Sequence, residues 1–277
     1  MDKQKEKAIK LIVDTAITNF SAGFEIRYER EADDPNGVIN SKKNNCFIAE
    51  LGEEFMFYSA FVRSFDSSFG KVLENLGNSI AMLSYEVRGK IDSFFLPQQS
   101  QAIDYLISEY EKHRKPQVSD YENDNSIIPA DVRSYSKSHE TDNYFYDPKT
   151  HSHYLIELKS GGDLDNKKAK AEKLALLQEY FILKNSLPKN STDKIKIFFG
   201  TAYNMYGEGN KWKQERVRQF FADEELLIGK DYWNFVCDDE KGFDIVFEQY
   251  KISCEKIKTS LNRIKAMYFK ENIDEGI

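Results

Sequence analysis

Glu157-Leu158-Lys159 is the one Glu-x-Lys triplet in the sequence. It lies in His153-Tyr-Leu-Ile-Glu-Leu-Lys, a run whose aromatic and aliphatic content predicts a strand. Alternate residues of a strand share a face, so Glu157 and Lys159 project together, about 6.6 Å apart, and Ile156 and Leu158 point to the other face and the core. Asn143-Tyr-Phe-Tyr-Asp predicts a preceding short strand and Pro148-Lys-Thr-His-Ser the turn between the two. Folding about that turn brings Asp142 opposite Glu157. Two carboxylates and an ammonium then converge at the open end of a sheet.

Phosphodiester hydrolysis uses such a set. The hard cation Mg²⁺ prefers oxygen ligands and keeps several waters, so Asp142, Glu157 and a main-chain carbonyl such as that of Leu158 suffice to hold it. Bound there, it lowers the pKa of an attacking water and stabilises charge on the phosphate. Lys159 beside it orients or deprotonates that water and offsets charge in the transition state. Asp-x-Lys, by contrast, occurs three times, at Asp147, Asp165 and Asp239, so spacing alone leaves open a solvated strand edge with an ion pair.

The elements that would position these residues are legible around them. Residues 166–184 carry the best helical pattern, with Ala169, Leu174, Leu177, Tyr180, Phe181 and Leu183 on a broad apolar face. Lys194-Ile-Lys-Ile-Phe-Phe-Gly-Thr-Ala-Tyr predicts a strand entering a buried centre. Hairpin, crossover helix and returning strand make a mixed α/β sheet. Residues 2–18 show a helical stripe, and 22–45, containing Asp34-Pro-Asn-Gly, read as loop or an irregular strand pair. A buried helix is predicted over about 70–85 and another over Ser100–His113, stopped by Pro116. Residues 116–140 read as a long connection, and the rest returns to helix, clearest in Leu226–Val236 and Phe243–Ala266. The chain therefore reads as one domain with a mainly helical part over 1–115, a catalytic α/β core over 140–205 and a helical part over 206–277.

Composition sets the outer limits. With 277 residues, 40% hydrophobic, including 20 Phe and 16 Tyr, the chain has ample material for a core despite 31% charged residues. No window approaches the roughly 20 apolar residues of a membrane span, and the amphipathic N-terminus is no signal peptide, so the expectation is a cytoplasmic protein. Cys46, Cys237 and Cys254 are too scattered for a disulfide framework or a zinc module. A net charge of −7 excludes coating nucleic acid through bulk positive charge, but not a nucleic-acid enzyme with cations at its cleft.

Asp142 and Glu157-Leu-Lys159, followed by helix and strand, resemble the PD-(D/E)XK nuclease core, with Thr141 in place of the proline that names it. The surrounding chain is similar to type II restriction endonucleases of the TdeIII-like group, which cut GGNCC-type sites. Three stretches carry the likeness: Ser68-Phe-Gly-Lys-Val-Leu-Glu-Asn-Leu-Gly; Thr141-Asp-Asn-Tyr-Phe through Glu157-Leu-Lys-Ser-Gly with Asn166-Lys-Lys-Ala-Lys-Ala-Glu-Lys; and Leu227-Ile-Gly-Lys-Asp-Tyr-Trp-Asn-Phe-Val. The resemblance implies a restriction-endonuclease-like core with N- and C-terminal helical additions. It also implies Mg²⁺-dependent cleavage of double-stranded DNA by a homodimer, leaving 5′-phosphate and 3′-hydroxyl ends. By analogy with the acidic residue on the first core helix of such nucleases, Glu74 becomes a third carboxylate of the metal shell; the plain alternative is an exposed helix glutamate.

Other residues keep two readings. Lys167, Lys168, Lys170 and Lys173 cluster in the first turns of the 166–184 helix, as phosphate contacts or as a solvated face. Asp163 and Asp165 can compensate them at the helix N-terminus. Lys211-Trp-Lys213, Arg216 and Arg218 follow Tyr203-Asn-Met-Tyr206, and form either a groove-entering segment or an ordinary surface helix. In the first case Lys or Arg reads guanine and Asn204 reads adenine or touches phosphate. Trp233, Phe235 and Phe243 read as core. His139, His151 and His153 have no zinc spacing and read as turn or surface residues. The rivals to restriction are a repair or junction nuclease with the same core, and a non-catalytic DNA- or protein-binding module.

Overall fold

The computed structural model describes residues 1–269 except 124, 125, 127 and 130. In chain order the elements are α1 (Lys3–Glu31), α2 (Cys46–Ala49), α3 (Glu53–Ala81), β1 (Glu86–Phe94), α4 (Pro97–Glu111), α5 (Ser119–Glu122), β2 (Ser136–Asp147) and β3 (Ser152–Lys159). There follow α6 (Asn166–Ser186), β4 (Lys194–Thr201), α7 (Glu215–Arg218), β5 (Leu226–Ile228), α8 (Lys230–Cys237) and α9 (Gly242–Phe269). The chain divides into two compact units. One is Met1–Leu76 with the residues from Asp244 onward; the other is Gly77–Phe243.

In the first unit, Asp2 caps α1 by accepting from the N–H groups of Gln4 and Lys5 at 2.8 Å. The helix runs past the predicted end at residue 18. Nothing between Ala22 and Glu31 breaks it, and Phe24 and Tyr28 extend its buried face. The loop or strand pair expected over 22–45 thus shrinks to the turn at Asp34-Pro-Asn-Gly and a short 3₁₀ segment, Asn40–Asn44. α3 also starts well before the predicted residue 70, because Phe57, Ala60 and Phe61 carry its apolar face back by several turns. An aromatic core holds the unit, with Phe24 against Phe61 at 5.5 Å and Phe57 stacked on Phe61 at 5.1 Å.

The second unit is a five-stranded sheet in the order β1-β2-β3-β4-β5. β1, β2 and β3 pair antiparallel, while β3, β4 and β5 run parallel, with α6 as the crossover from β3 to β4. The predicted α/β class and mixed sheet are borne out, with helices flanking the sheet as in the restriction-endonuclease-like fold. The hairpin register is also the predicted one: Asn143 pairs with Ile156 and Asp147 with Ser152. β1 was not foreseen, since its polar, charged sequence suits an edge strand and hides the alternation. β2 begins at Ser136, inside the expected connection of 116–140, as does α5; residues 124, 125, 127 and 130 of that connection lie outside the described residues. Leu226–Ile228, expected to begin a helix, is a strand on β4, because a short apolar run next to Gly229 has no periodicity of its own.

The two faces of the sheet differ. Tyr144, Leu155, Ile197 and Phe199 pack against α4 and α6. Phe145, Tyr154 and Phe198 face the other way, against Tyr85 and Phe235. Among the described residues, no helix is long and apolar enough to cross a membrane.

α6 is anchored by an ion pair with no solvent access. Lys173 Nζ lies 2.5 Å from Glu225, between the rings of Tyr121 (4.9 Å) and Phe221 (5.0 Å). Glu225 also accepts from the Tyr121 hydroxyl at 2.6 Å and from Ala222 N at 2.7 Å. Lys173 is therefore a core residue and not the phosphate contact that its sequence cluster suggested. Lys173→Met is expected to lower stability in urea unfolding by about 3 kcal/mol, because it strands a buried carboxylate. A loss below about 1 kcal/mol would show that the pair does not anchor the helix.

Candidate active site

β3 carries Glu157 and Lys159 on the face that Leu155 presents to α6, as its alternation requires. Ile156 and Leu158 project oppositely: a Cβ on Gly200 would meet both, and Tyr232, at 3.2–3.4 Å. The strand ends in Ser160-Gly-Gly, where Gly162 adopts a φ of 73° that any side chain would strain against Thr201. Asp165 then caps α6 by accepting from Lys168 N at 2.8 Å, as the sequence predicts.

The Lys159 ammonium is held between two carboxylates. It donates to Glu157 on its own strand, and it lies 3.1 Å from Glu172 Oε1 on α6. Glu179 follows Glu172 by two turns on the same side of α6 and is only 5% exposed. Its Oε1 is 3.0 Å from His139 Nδ1 on β2, within ion-pair reach but outside hydrogen-bonding geometry. β2 gains two residues on β1 between the pairs Arg88–Tyr144 and Lys90–Glu140, and this irregularity separates Asp142 from His139.

Asp142 is half-buried, one residue beyond the Asn143–Ile156 pair and so next to Glu157. A clamp on the opposite face fixes its backbone. Asn78 Nδ2 donates to the Asp142 carbonyl at 3.0 Å, Asn143 Nδ2 donates to Asn78 Oδ1 at 2.8 Å, and the Tyr232 hydroxyl reaches Asn143 at 3.4 Å. A Cβ on Gly77 would overlap that hydroxyl.

Burial and mutual repulsion shape the electrostatics. Burial, with Glu172 and Asp142 adding to it, pushes Glu157 up to about 8 in spite of Lys159. Burial, then Glu157, Asp142 and Glu172, pushes Glu179 up to about 9. Burial works against the Lys159 charge, but Glu157 and Glu172 outweigh it and raise its pKa. Glu157, Glu172 and Asp142 thus surround one ammonium, with Glu179 buried beside them, a crowding of acidic groups that a divalent cation would relieve. Among the described residues, no three His, Cys, Asp or Glu side chains are grouped as a ready-made metal cage. Two carboxylates and a carbonyl are nevertheless the oxygen donors that a hard, partly hydrated cation takes, so the residues fit one.

Asp142, Glu157 and Lys159 are thus brought together as the sequence predicts. Glu74 lies in the first unit, on α3, where it pairs with Lys71. Lys167 and Lys168 are exposed, and Lys170 binds Glu111 at 2.8 Å. Lys211 and Lys213 are exposed on either side of buried Trp212. Asn204 is buried and bonded within its own loop. Trp233 is core as expected, while Phe235 and Phe243 are half-buried. His151 lies in the turn, but His153 is a core residue, 2.8 Å from the Tyr144 hydroxyl, and not a surface one. Sequence reasoning missed Glu172, Glu179 and His139 as site residues. The seven-residue spacing of the two glutamates was the available signal, but it also fits a solvated helix face.

Glu179 makes a pH signature. Unfolded, its carboxyl ionises near 4.5; folded, burial holds its proton up to about 9. Within that window the native state binds more protons than the unfolded chain, so stability falls as pH rises. In EDTA the thermal midpoint should drop between about pH 5 and about pH 9, and Glu179→Gln should flatten the drop. An identical pH profile for the variant would exclude a buried, protonated Glu179.

The model of the family described as "Type II restriction endonuclease, HinfI" matches residues 5–254 of this chain. No curated protein and no solved structure matches it. The match runs through both units and the whole of the site, and it supports the restriction-endonuclease class that the motif implied. The chain belongs to the HinfI family of type II restriction endonucleases, DNA-binding enzymes that act as site-specific deoxyribonucleases and that, as a kind, generally depend on a divalent metal.

Proposed function

We propose that the enzyme hydrolyses double-stranded DNA at a short palindromic site, of the GGNCC type that its sequence resembles, with Mg²⁺ held by Asp142, Glu157 and the Leu158 carbonyl. The observation that carries this reading is the convergence of Asp142, Glu157 and Lys159 at one strand end beneath α6. A bound Mg²⁺ would activate the attacking water and neutralise phosphate charge. Lys159, its ammonium stabilised by Glu157 and Glu172, orients that water and offsets charge on the phosphate. Glu172 holds the ammonium from the helix side, so Lys159 stays extended along the strand face. Asp142, fixed through its own carbonyl by Asn78, keeps its carboxylate beside Glu157.

The rest of the reading is built outward from that centre. Lys167, Lys168 and Lys170 at the start of α6 contact phosphates. The two units act as one nuclease domain within the cytoplasm. The protein works as a two-fold homodimer, because a palindrome presents the same edges on both strands and an isologous dimer matches that symmetry with one active site per strand.

Digestion of plasmid DNA with Mg²⁺ should give discrete fragments, and EDTA should abolish them. A smear, or a preference for branched DNA, would instead indicate a repair nuclease. Asp142→Ala and Glu157→Ala should each reduce cleavage to below a few per cent while leaving the melting temperature and DNA binding in place. Lys159→Ala should cripple cleavage too, and Lys159→Arg should not restore it, since a planar guanidinium does not replace a compact ammonium in a slot between two carboxylates. Any of these variants cutting at near wild-type rate removes that residue from the mechanism.

Sedimentation velocity on the free protein and on cognate duplex should show a dimer with two strands cut per binding event. A monomer in both states would refute the two-fold arrangement.

A further inference from the structure

The segment between β4 and Trp212 is a loop whose polar groups are spent on holding its own shape. Asn204 donates to Asn210 O at 2.8 Å and accepts from Tyr206 N at 3.0 Å, and Asn210 donates to Tyr206 O at 2.7 Å. Glu208 accepts from Asn204 N at 2.7 Å and from Lys230 N at 3.0 Å, which ties the loop to the start of α8. Gly229 leaves room for that carboxylate, since a Cβ there would overlap it. Gly207 and Gly209 take φ values of 92° and 83°, which set the reversal.

What this stapled loop displays is apolar. Tyr203 is 51% exposed, and Met205 and Tyr206 are each 38% exposed. Single exposed apolar residues are ordinary; three within four positions, on a loop held by side-chain hydrogen bonds, make a candidate contact surface. Exposed Lys211 and Lys213 lie next along the chain, and their charge suits a polyanion.

The loop also borders the catalytic strand. Ala202 N donates to the carbonyls of Lys159 and Ser160 at 3.1 and 2.9 Å, and Tyr203 N donates to Ser160 O at 3.2 Å. The Tyr203 ring lies so close over Gly161 that a Cβ on that glycine would overlap its hydroxyl. Whatever phosphate lies at Lys159 therefore has Tyr203 as a near neighbour.

We propose that Tyr203, Met205 and Tyr206 form a rigid wedge that contacts the bases next to the scissile phosphate and determines specificity there, with Lys211 and Lys213 on the flanking phosphates. The inference rests on the assignment of Lys159 to the cleavage centre. It gives Asn204 a different part from base reading: its side chain shapes the wedge and does not face the DNA. Aromatic and thioether side chains suit base faces, sugar edges and thymine methyl groups, and they discriminate by shape.

The test is single-turnover cleavage by the full-length enzyme, with the site taken from the ends of wild-type digestion products. Each enzyme is compared on that site and on a duplex altered at the base pair beside the cut. Tyr203→Ala and Met205→Ala should each cut the ratio of the two rates by about tenfold, with an unchanged melting temperature. Asn204→Ala should lose the same discrimination with all three apolar side chains intact. Lys211→Ala and Lys213→Ala should slow both substrates alike and preserve the ratio. A 2-aminopurine placed beside the cut should change its fluorescence on binding wild type and not on binding Tyr203→Ala. If Tyr203→Ala and Met205→Ala both discriminate within twofold of wild type, the wedge is refuted while the cleavage centre stands. If Lys159→Ala cuts normally, the cleavage centre falls, and the wedge with it.

Discussion

A carboxylate that loses most of its water must find a cation or keep its proton, and Glu157 is placed where that choice is forced. Its side chain is only 13% exposed, under α6, and it shares Lys159 with Glu172 while Asp142 adds negative charge nearby. One ammonium cannot neutralise three carboxylates, so the site is electrostatically incomplete as a protein. A hard divalent cation at this strand end would complete it. That incompleteness explains why α6 has to be held so firmly: Lys173, one residue beyond Glu172, locks the helix rotation through a pair with no solvent contact.

The sheet separates chemistry from support by the alternation of its strands. On the α6 face of β3 and β2 are Glu157, Lys159 and Asp142; on the other are Ile156, Leu158 and Asn143. The support face is built tightly. Gly77 lets the Tyr232 hydroxyl approach, Tyr232 reaches Asn143, and Asn143 and Asn78 together hold the main chain at Asp142. The main chain at Asp142 is thus positioned by amides on the opposite face. Rigidity there adds no net charge to the site, because amides are neutral.

Membership of the HinfI family accounts for the enzyme class, while the site geometry accounts for how this chain serves it. A net charge of −7 leaves DNA affinity to local features. In the second unit Lys167 and Lys168 at the start of α6 and the lysines that flank Trp212 are exposed cations that suit that part. The wedge proposed ahead of Trp212 would add contact area where positive charge is scarce.

The hairpin was legible in the sequence to the residue. Strand alternation has a period of two, and a turn fixes register, so Asp142 beside Glu157 followed from local pattern alone. The crossover helix and the strand after it followed likewise from periodicity. What local pattern could not decide was partnership over long separations. Glu172, Glu179 and Lys173 look alike as charged positions on an amphipathic helix, yet one holds Lys159, one lies buried beside His139, and one pairs with Glu225 in the core. β1 and β5 are strands only because β2 and β4 offer them edges. Asn204 carries the base-reading chemistry of an amide, but the loop's own carbonyl and N–H groups engage it first. The sequence by itself therefore determined the core motif and the class of chemistry. Only the tertiary structure assigned each charge its partner, because burial decides whether a charged side chain faces water, a cation or another carboxylate.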